Sequence, residues 1–213
     1  MKFTVQGDVT LHMTFKLLLC LVEGYLIGSV SISILISKYL FHQDVRTMGS
    51  GNAGAANAAR TYGPVVGALT FGGDFLKGVI AAAIGLCLCG TYGYAVAAAA
   101  CLIGHCFPVY FGFKGGKAVS TAAGITLLLD WRVFLTAFVV FVIVAFLTRT
   151  ASASSMSAAV AIAVSTPIFN RNPALICLAV FMCLLVLLMH RGNIQRILQG
   201  TEPKFHFGSR PPK

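Results

Sequence analysis

An all-α integral membrane protein is the fold class this sequence predicts. Three observations predict it: apolar runs too long for a soluble core, a scarcity of charge, and cations gathered between the runs. The chain has 213 residues, 57% hydrophobic and 10% charged, with mean hydropathy +0.85. A soluble domain is about a quarter charged.

The elements follow in order, as one polytopic membrane domain over residues 1–213. Residues 1–14 read as a short external N-terminus. Phe15 to Tyr39 is long enough to span and too long for a cleavable signal peptide, and its Gly24-x-x-x-Gly28 permits close helix packing. Glu23 within it faces either the bundle interior or the outer interface. Pro64 to Gly90 and Tyr94 to Phe111 read as the next two spans, and Val133 to Leu147, Ser152 to Phe169 and Ala174 to Met189 as the last three. Ala118 to Leu129 is short, either a crossing aided by its flanks or half of a re-entrant hairpin with the run that follows Asp130-Trp131-Arg132. About seven crossings result, or five if that hairpin is re-entrant. Residues 203–213 form a basic tail.

Alternation then puts eleven cations on one side (Lys38, Arg46, Arg60, Lys114, Lys117, Arg149, Arg191, Arg196, Lys204, Arg210, Lys213) and four on the other. Lysine and arginine accumulate on the cytoplasmic side, so the N-terminus is expected outside and the C-terminus in the cytoplasm. The location expected is the bacterial cell (inner) membrane. A net charge of +10 is explained by these flanking cations and by anionic headgroups, not by nucleic acid. The seven cysteines sit in or at the ends of apolar runs and include no C-x-x-C; they read as small buried hydrophobes, and no metal site is expected.

Three polar islands carry the chemistry. The first runs from Gly49 to Arg60. Gly49, Gly51 and Gly54 allow successive N–H groups to converge on one anion; Ser50, Asn52 and Asn57 add neutral donors; Arg46 and Arg60 bracket the run with permanent charge. Residues 49–54 also spell G-x-G-x-x-G, but that fingerprint requires a preceding strand, and an apolar helix precedes this one. A phosphate cradle is the reading, against a plain Gly/Ala turn. The second island, Lys114-Gly115-Gly116-Lys117, places glycines and an ammonium at a helix start, with Lys117 the better ligand and Lys114 an orienting charge. In the third, His190 and Asn193 share a helix face, followed by Glu202.

Asp74 and Lys77 form an i, i+3 pair deep in a run, where charge is costly; a structural role is as fitting as a catalytic one, and His105 has the same standing. Ser154 and Ser155 could complete a polar pocket.

These motifs together, with Gly104-His105-x-Phe107-Pro108 between the first two islands, resemble the bacterial acyl-phosphate:glycerol-3-phosphate acyltransferase family (PlsY type), over about Tyr25 to Glu202. The resemblance implies a multi-pass inner-membrane enzyme that makes lysophosphatidic acid from acyl phosphate and glycerol 3-phosphate. It further implies that Ser50, Asn52 and Arg60 bind substrate phosphates, and that Lys117, Ser155, His190 and Asn193 surround glycerol 3-phosphate. Ala56 departs from the threonine expected there, Ala118 from a glycine, and Val30-Ser31 from a proline after Gly28-Ser29.

Physical chemistry fits the same reaction. Acyl phosphate is already activated, so proximity and oxyanion stabilisation suffice without a covalent nucleophile. Neither G-x-S-x-G nor H-x-x-x-x-D occurs. Direct attack by the 1-hydroxyl is expected, with the proton passing to His190 or to a substrate phosphate oxygen. No cofactor and no obligate protein partner are expected beyond membrane lipids. The alternative is a transporter for phosphorylated solutes, which predicts polar residues on several spans. A CDP-alcohol phosphotransferase needs a multi-aspartate metal motif that four scattered aspartates do not make.

Overall fold

The structure is a computed structural model that describes residues 3–204, with side chains from Leu11 onward. Every regular element among the described residues is helical.

The first run is not one helix. Helix α1 (Phe3–Ser29) begins well before Phe15, and α2 (Ile32–Leu40) follows a two-residue break. Ser29 turns its hydroxyl back onto Tyr25 O at 2.8 Å, Val30 N tightens onto Ile27 O, and Ser31 is extended. The Val30 carbonyl freed by the break accepts from Lys77 Nζ at 2.6 Å. An ammonium from another helix thus satisfies a group that apolar surroundings would leave orphaned.

A short helix, α3 (Ala55–Tyr62), lies inside the first island where a loop was expected. Helix α4 (Pro64–Cys106) is a hairpin: Cys89 and Gly90 leave helical geometry, with φ +59° at Gly90. Its limbs run back along each other, Cys101 Sγ meeting Lys77 O at 3.9 Å and His105 Nδ1 lying 3.7 Å from Asp74 Oδ1. The reversal falls at the turn expected near residue 90. Helix α1 packs on this hairpin through Gly24 and Gly28, where an added Cβ would strike the Ala97 and Cys101 carbonyls.

Helix α5 (Val119–Leu129) has 11 residues and reaches only about 16 Å. It is held against α4 by Tyr94 Oη donating to Ile125 O at 2.5 Å. Helix α6 (Trp131–Thr148) starts at an Asp130 cap, and Arg132 lies 5.0 Å over the Phe169 ring, joining it to the end of α7 (Ala151–Phe169). Asn172 caps α8 (Pro173–Met189), and α9 (Arg191–Leu198) leaves it at 58°.

Among the described residues, four helical stretches are long and apolar enough to cross a membrane, or five with the bent α8–α9 pair taken as one. The main core joins the second limb of α4 to α5, α6 and α8 through Leu102, Ile125, Val133 and Met182. Large apolar side chains such as Leu69, Phe138, Phe146 and Leu184 remain more than half exposed, as expected where lipid covers the surface. Of the basic tail, 205–213 lie outside the described residues, as do Met1 and Lys2 at the other end.

Candidate active site

The first island is fixed by its own side chains. Asn57 is 2% exposed; it accepts from Ser50 N at 2.8 Å and donates to Val45 O and Met48 O, both at 3.0 Å. That knot folds the chain over so that Gly54 opens α3, and the Ala55 and Ala56 N–H groups, unused within the helix, face a cleft. Because residue 56 is alanine, the backbone supplies a donor there but the side chain does not.

The cleft encloses about 660 Å³. All three islands line it: Gly49, Ser50, Asn52, Gly54, Asn57 and Arg60 from the first, Lys117 from the second, His190, Asn193 and Glu202 from the third. Ser155, Asp74 and His105 line it as well. Several residues singled out in the sequence stand outside this lining, among them Ser154, which is buried and donates to Thr150 O at 2.8 Å. Arg46 forks onto Asp44 at 2.9 and 2.8 Å and donates to Phe111 O and Lys114 O, which ties the first island to the second. Those bonds from Arg46 outweigh burial and hold the Asp44 carboxyl below the usual range. Gly51 borders a smaller annex of about 350 Å³ beside Arg191. Gly115 and Gly116 support Lys117 through backbone bonds to Cys106 O and His105 O. Lys77 is engaged with Asp74 and Val30.

A polar relay joins the second and third islands. Lys117 donates to Asn193 Oδ1, and Asn193 Nδ2 donates to Glu202 Oε1 at 2.6 Å. Glu202 also accepts from Ser152 Oγ at 2.7 Å and from Arg196 Nε at 2.8 Å. Burial pushes the Glu202 carboxyl up, but these three donors hold it below the usual range, so it stays ionised. Lys117 is lowered as well, toward its neutral form: burial, with Arg196 and Arg60 nearby, brings it to about 8 against the pull of Glu202. His190 is 3% exposed, and its Nδ1 lies 2.8 Å from the Val186 carbonyl. A carbonyl can only accept, so Nδ1 carries the proton and Nε2 keeps its lone pair.

Sequence reasoning missed Ser152, Arg196 and Ser120, all in the lining. The first two had a signal: Ser152 precedes Ser155 by three and Arg196 follows Asn193 by three, each on a face already marked. Phe71, Phe141 and Val119 give the cleft an apolar wall, which nothing in an all-apolar sequence could single out. The site therefore offers two cations, Arg60 and Lys117, a third, Arg196, that is paired with Glu202, and the backbone at the start of α3, beside apolar surface. It can bind phosphate and hold an aliphatic chain.

Comparison with known proteins agrees. The family model described as glycerol-3-phosphate acyltransferase matches residues 18–200. The glycerol-3-phosphate acyltransferase of Lactiplantibacillus plantarum is 38% identical over 196 residues, 91% of this chain and 94% of that protein. That of Syntrophotalea carbinolica is 41% identical over 187 residues, covering 87% and 95%. Among solved structures, the glycerol 3-phosphate form of the integral membrane acyltransferase PlsY superposes with TM-score 0.86 at 34% identity, over 89% of this chain and 96% of that one. Its lysophosphatidic acid form gives 0.83 at 33%, over 89% and 95%. With motifs, fold and relatives in agreement across nearly its full length, the chain belongs to the glycerol-3-phosphate acyltransferase family of integral membrane enzymes.

Proposed function

We propose that the acyl donor is acyl phosphate and that the 1-hydroxyl of glycerol 3-phosphate attacks it directly, giving lysophosphatidic acid and phosphate. The observation that carries this reading is the composition of the cleft: phosphate-suited groups (Arg60, Lys117, Arg196 and the α3 N–H groups) stand against an apolar wall of Phe71, Phe141 and Val119. A donor whose leaving group is itself a phosphate and whose other end is a fatty chain matches both halves.

In this reading the loop of Gly49, Ser50, Gly51, Asn52 and Gly54, with the start of α3, takes the donor phosphate. Lys117, Arg60, Ser155 and Asn193 hold the acceptor. The cations neutralise charge on both substrates, so neither a metal nor an organic cofactor is required for that task. His190 Nε2 accepts a hydrogen bond from the attacking hydroxyl and orients it. Carbon–oxygen bond formation expels phosphate, and the hydroxyl proton passes to His190 or to a phosphate oxygen. Loss of about a hundredfold or more in kcat for His190→Ala, the typical range of general-base effects, would assign the proton to His190; a loss below about tenfold would assign it to a substrate phosphate.

The reading includes an inner-membrane location, about seven crossings (five if the α5–α6 hairpin is re-entrant), and an active site facing the cytoplasm. Its support is the hairpin in α4, which makes two limbs of one apolar stretch, and the cation asymmetry of the sequence. Purified protein supplied separately with acyl phosphate, acyl-CoA and acyl-carrier protein, in chelator, tests the donor. Lysophosphatidic acid should form from acyl phosphate alone. Efficient turnover with acyl-CoA, or a trapped acylated side chain, would overturn the donor or the direct attack.

A further inference from the structure

The floor of the cleft contains a buried charge cluster that the reaction above does not use. Asp74 is 1% exposed, His105 4% and Lys77 6%. Asp74 Oδ1 lies 2.9 Å from Lys77 Nζ, an ion pair whose angle falls outside hydrogen-bond geometry, and 3.7 Å from His105 Nδ1. Lys77 spends a good hydrogen bond elsewhere, on Val30 O. The neighbours of Asp74 therefore both belong to α4, the Lys77 ammonium on its own limb of the hairpin and the His105 imidazole on the other.

His105 is also where the second island is seated. Its carbonyl accepts from Gly116 N at 3.0 Å, and the Cys106 carbonyl accepts from Gly115 N at 3.1 Å. The imidazole lies flush against Gly116: an added Cβ there would meet His105 Nε2 first and then Ala53 O at 2.9 Å. One residue later comes Lys117, whose ammonium reaches Asn193. Ring, glycine backbone and lysine thus form one mechanical series, starting at a carboxylate that faces the ring at 3.7 Å.

We propose that Asp74 and His105 are positioning residues for the acceptor site, with the imidazole serving as the stop that sets how far Lys117 reaches into the cleft. The inference rests on Lys117 binding the acceptor phosphate. Removing the ring lets residues 115–117 sink toward the floor and draws the ammonium away from the phosphate, while the donor-binding first island keeps its own knot at Asn57. A cluster that merely stabilised the hairpin would act equally with or without Lys117.

A double-mutant cycle separates the two cases, because residues that act through one another fail to add. Steady-state kinetics are measured on wild-type protein, His105→Ala, Lys117→Ala and the double variant, with whichever donor the wild type turns over. His105→Ala should raise the KM for glycerol 3-phosphate about tenfold while kcat and the donor KM change by less than about threefold. In the Lys117→Ala background the same change should add less than about twofold, and His105→Gln should recover part of the loss. Equal effects of His105→Ala in both backgrounds, or a wild-type acceptor KM in His105→Ala, would overturn the proposal. If His105→Ala does not fold, Asp74→Asn replaces it: the shape is kept, the negative charge facing the ring is lost, and the same non-additivity with Lys117→Ala is required. Failure of the wild type to use acyl phosphate would be seen in its own assay and would count against the donor reading instead.

Discussion

At the scale of single residues, the site depends on where positive charge is free and where it is already engaged. Arg46 and Arg60 bracket the same loop, yet Arg46 is bound to Asp44, whereas Arg60 lines the cleft with no carboxylate partner among the described residues. Lys117 and Arg60 are therefore the cations available to substrate. Lys117→Ala and Arg60→Ala should each cost about 1.5–3 kcal/mol of substrate binding, tenfold or more in kcat/KM, without loss of folded protein. Wild-type kinetics over a full range of each substrate would remove the phosphate cradle. The pH dependence has a definite sign. Lys117 is lowered to about 8, and only its protonated form attracts phosphate. Acceptor affinity should thus be full below about pH 8 and decline above it. Lys117→Arg, charged throughout, should flatten that decline; an unchanged profile in this variant would place the titration on another group.

At the scale of elements, the helices meet where side chains are small enough for backbones to touch. Gly28 on α1 has its Cα against Cys101 of α4, so Gly28→Ala forces a methyl into backbone that cannot rotate away. Overpacking of this kind costs about 1–3 kcal/mol, read as a lower thermal midpoint in detergent. Gly72→Ala is the control, because nothing lies within 4 Å of its added Cβ; it should be neutral or slightly stabilising. Equal midpoints for the two variants would show that the α1–α4 contact yields easily. The same contact matters to function, since it holds the α1–α2 break beside Lys77 and hence the floor of the cleft.

For the whole molecule, the question is which side of the membrane the three islands face. The cleft draws on residues from 49 to 203, so its islands must share one aqueous face. Ser50→Cys, Gly115→Cys and Asn193→Cys, each on a background lacking the seven native cysteines, should react with an impermeant reagent only after the inner face of the membrane is opened. Labelling of any of them from outside would reverse the orientation proposed here.

Much of this was legible from residue order. Apolar run length and the cations between runs reveal a helical membrane protein because hydrocarbon tolerates no unpaired backbone. Islands such as Gly49–Arg60 and Lys114–Lys117 stand out because glycines and cations are conspicuous in an apolar chain. The reversal in α4 was visible too, as the polar-poor but glycine-bearing turn near residue 90. What the order of residues left open is how charges are shared out in space. Arg46 and Arg60 look equivalent in sequence, and only folding holds Arg46, with its neighbour Asp44, against the distant Phe111 and Lys114 carbonyls. Arg196 and Ser152 joined the site through Glu202, a carboxylate fifty residues from Ser152 in the chain. The apolar wall was invisible for the opposite reason: Phe71 and Phe141 resemble every other lipid-facing residue until the fold sets the cleft beside them. Sequence by itself determined the class of the protein and the chemistry of its three islands, because both depend on local composition. Tertiary structure alone decided which charges remain free for substrate, because that depends on distances between residues far apart in the chain.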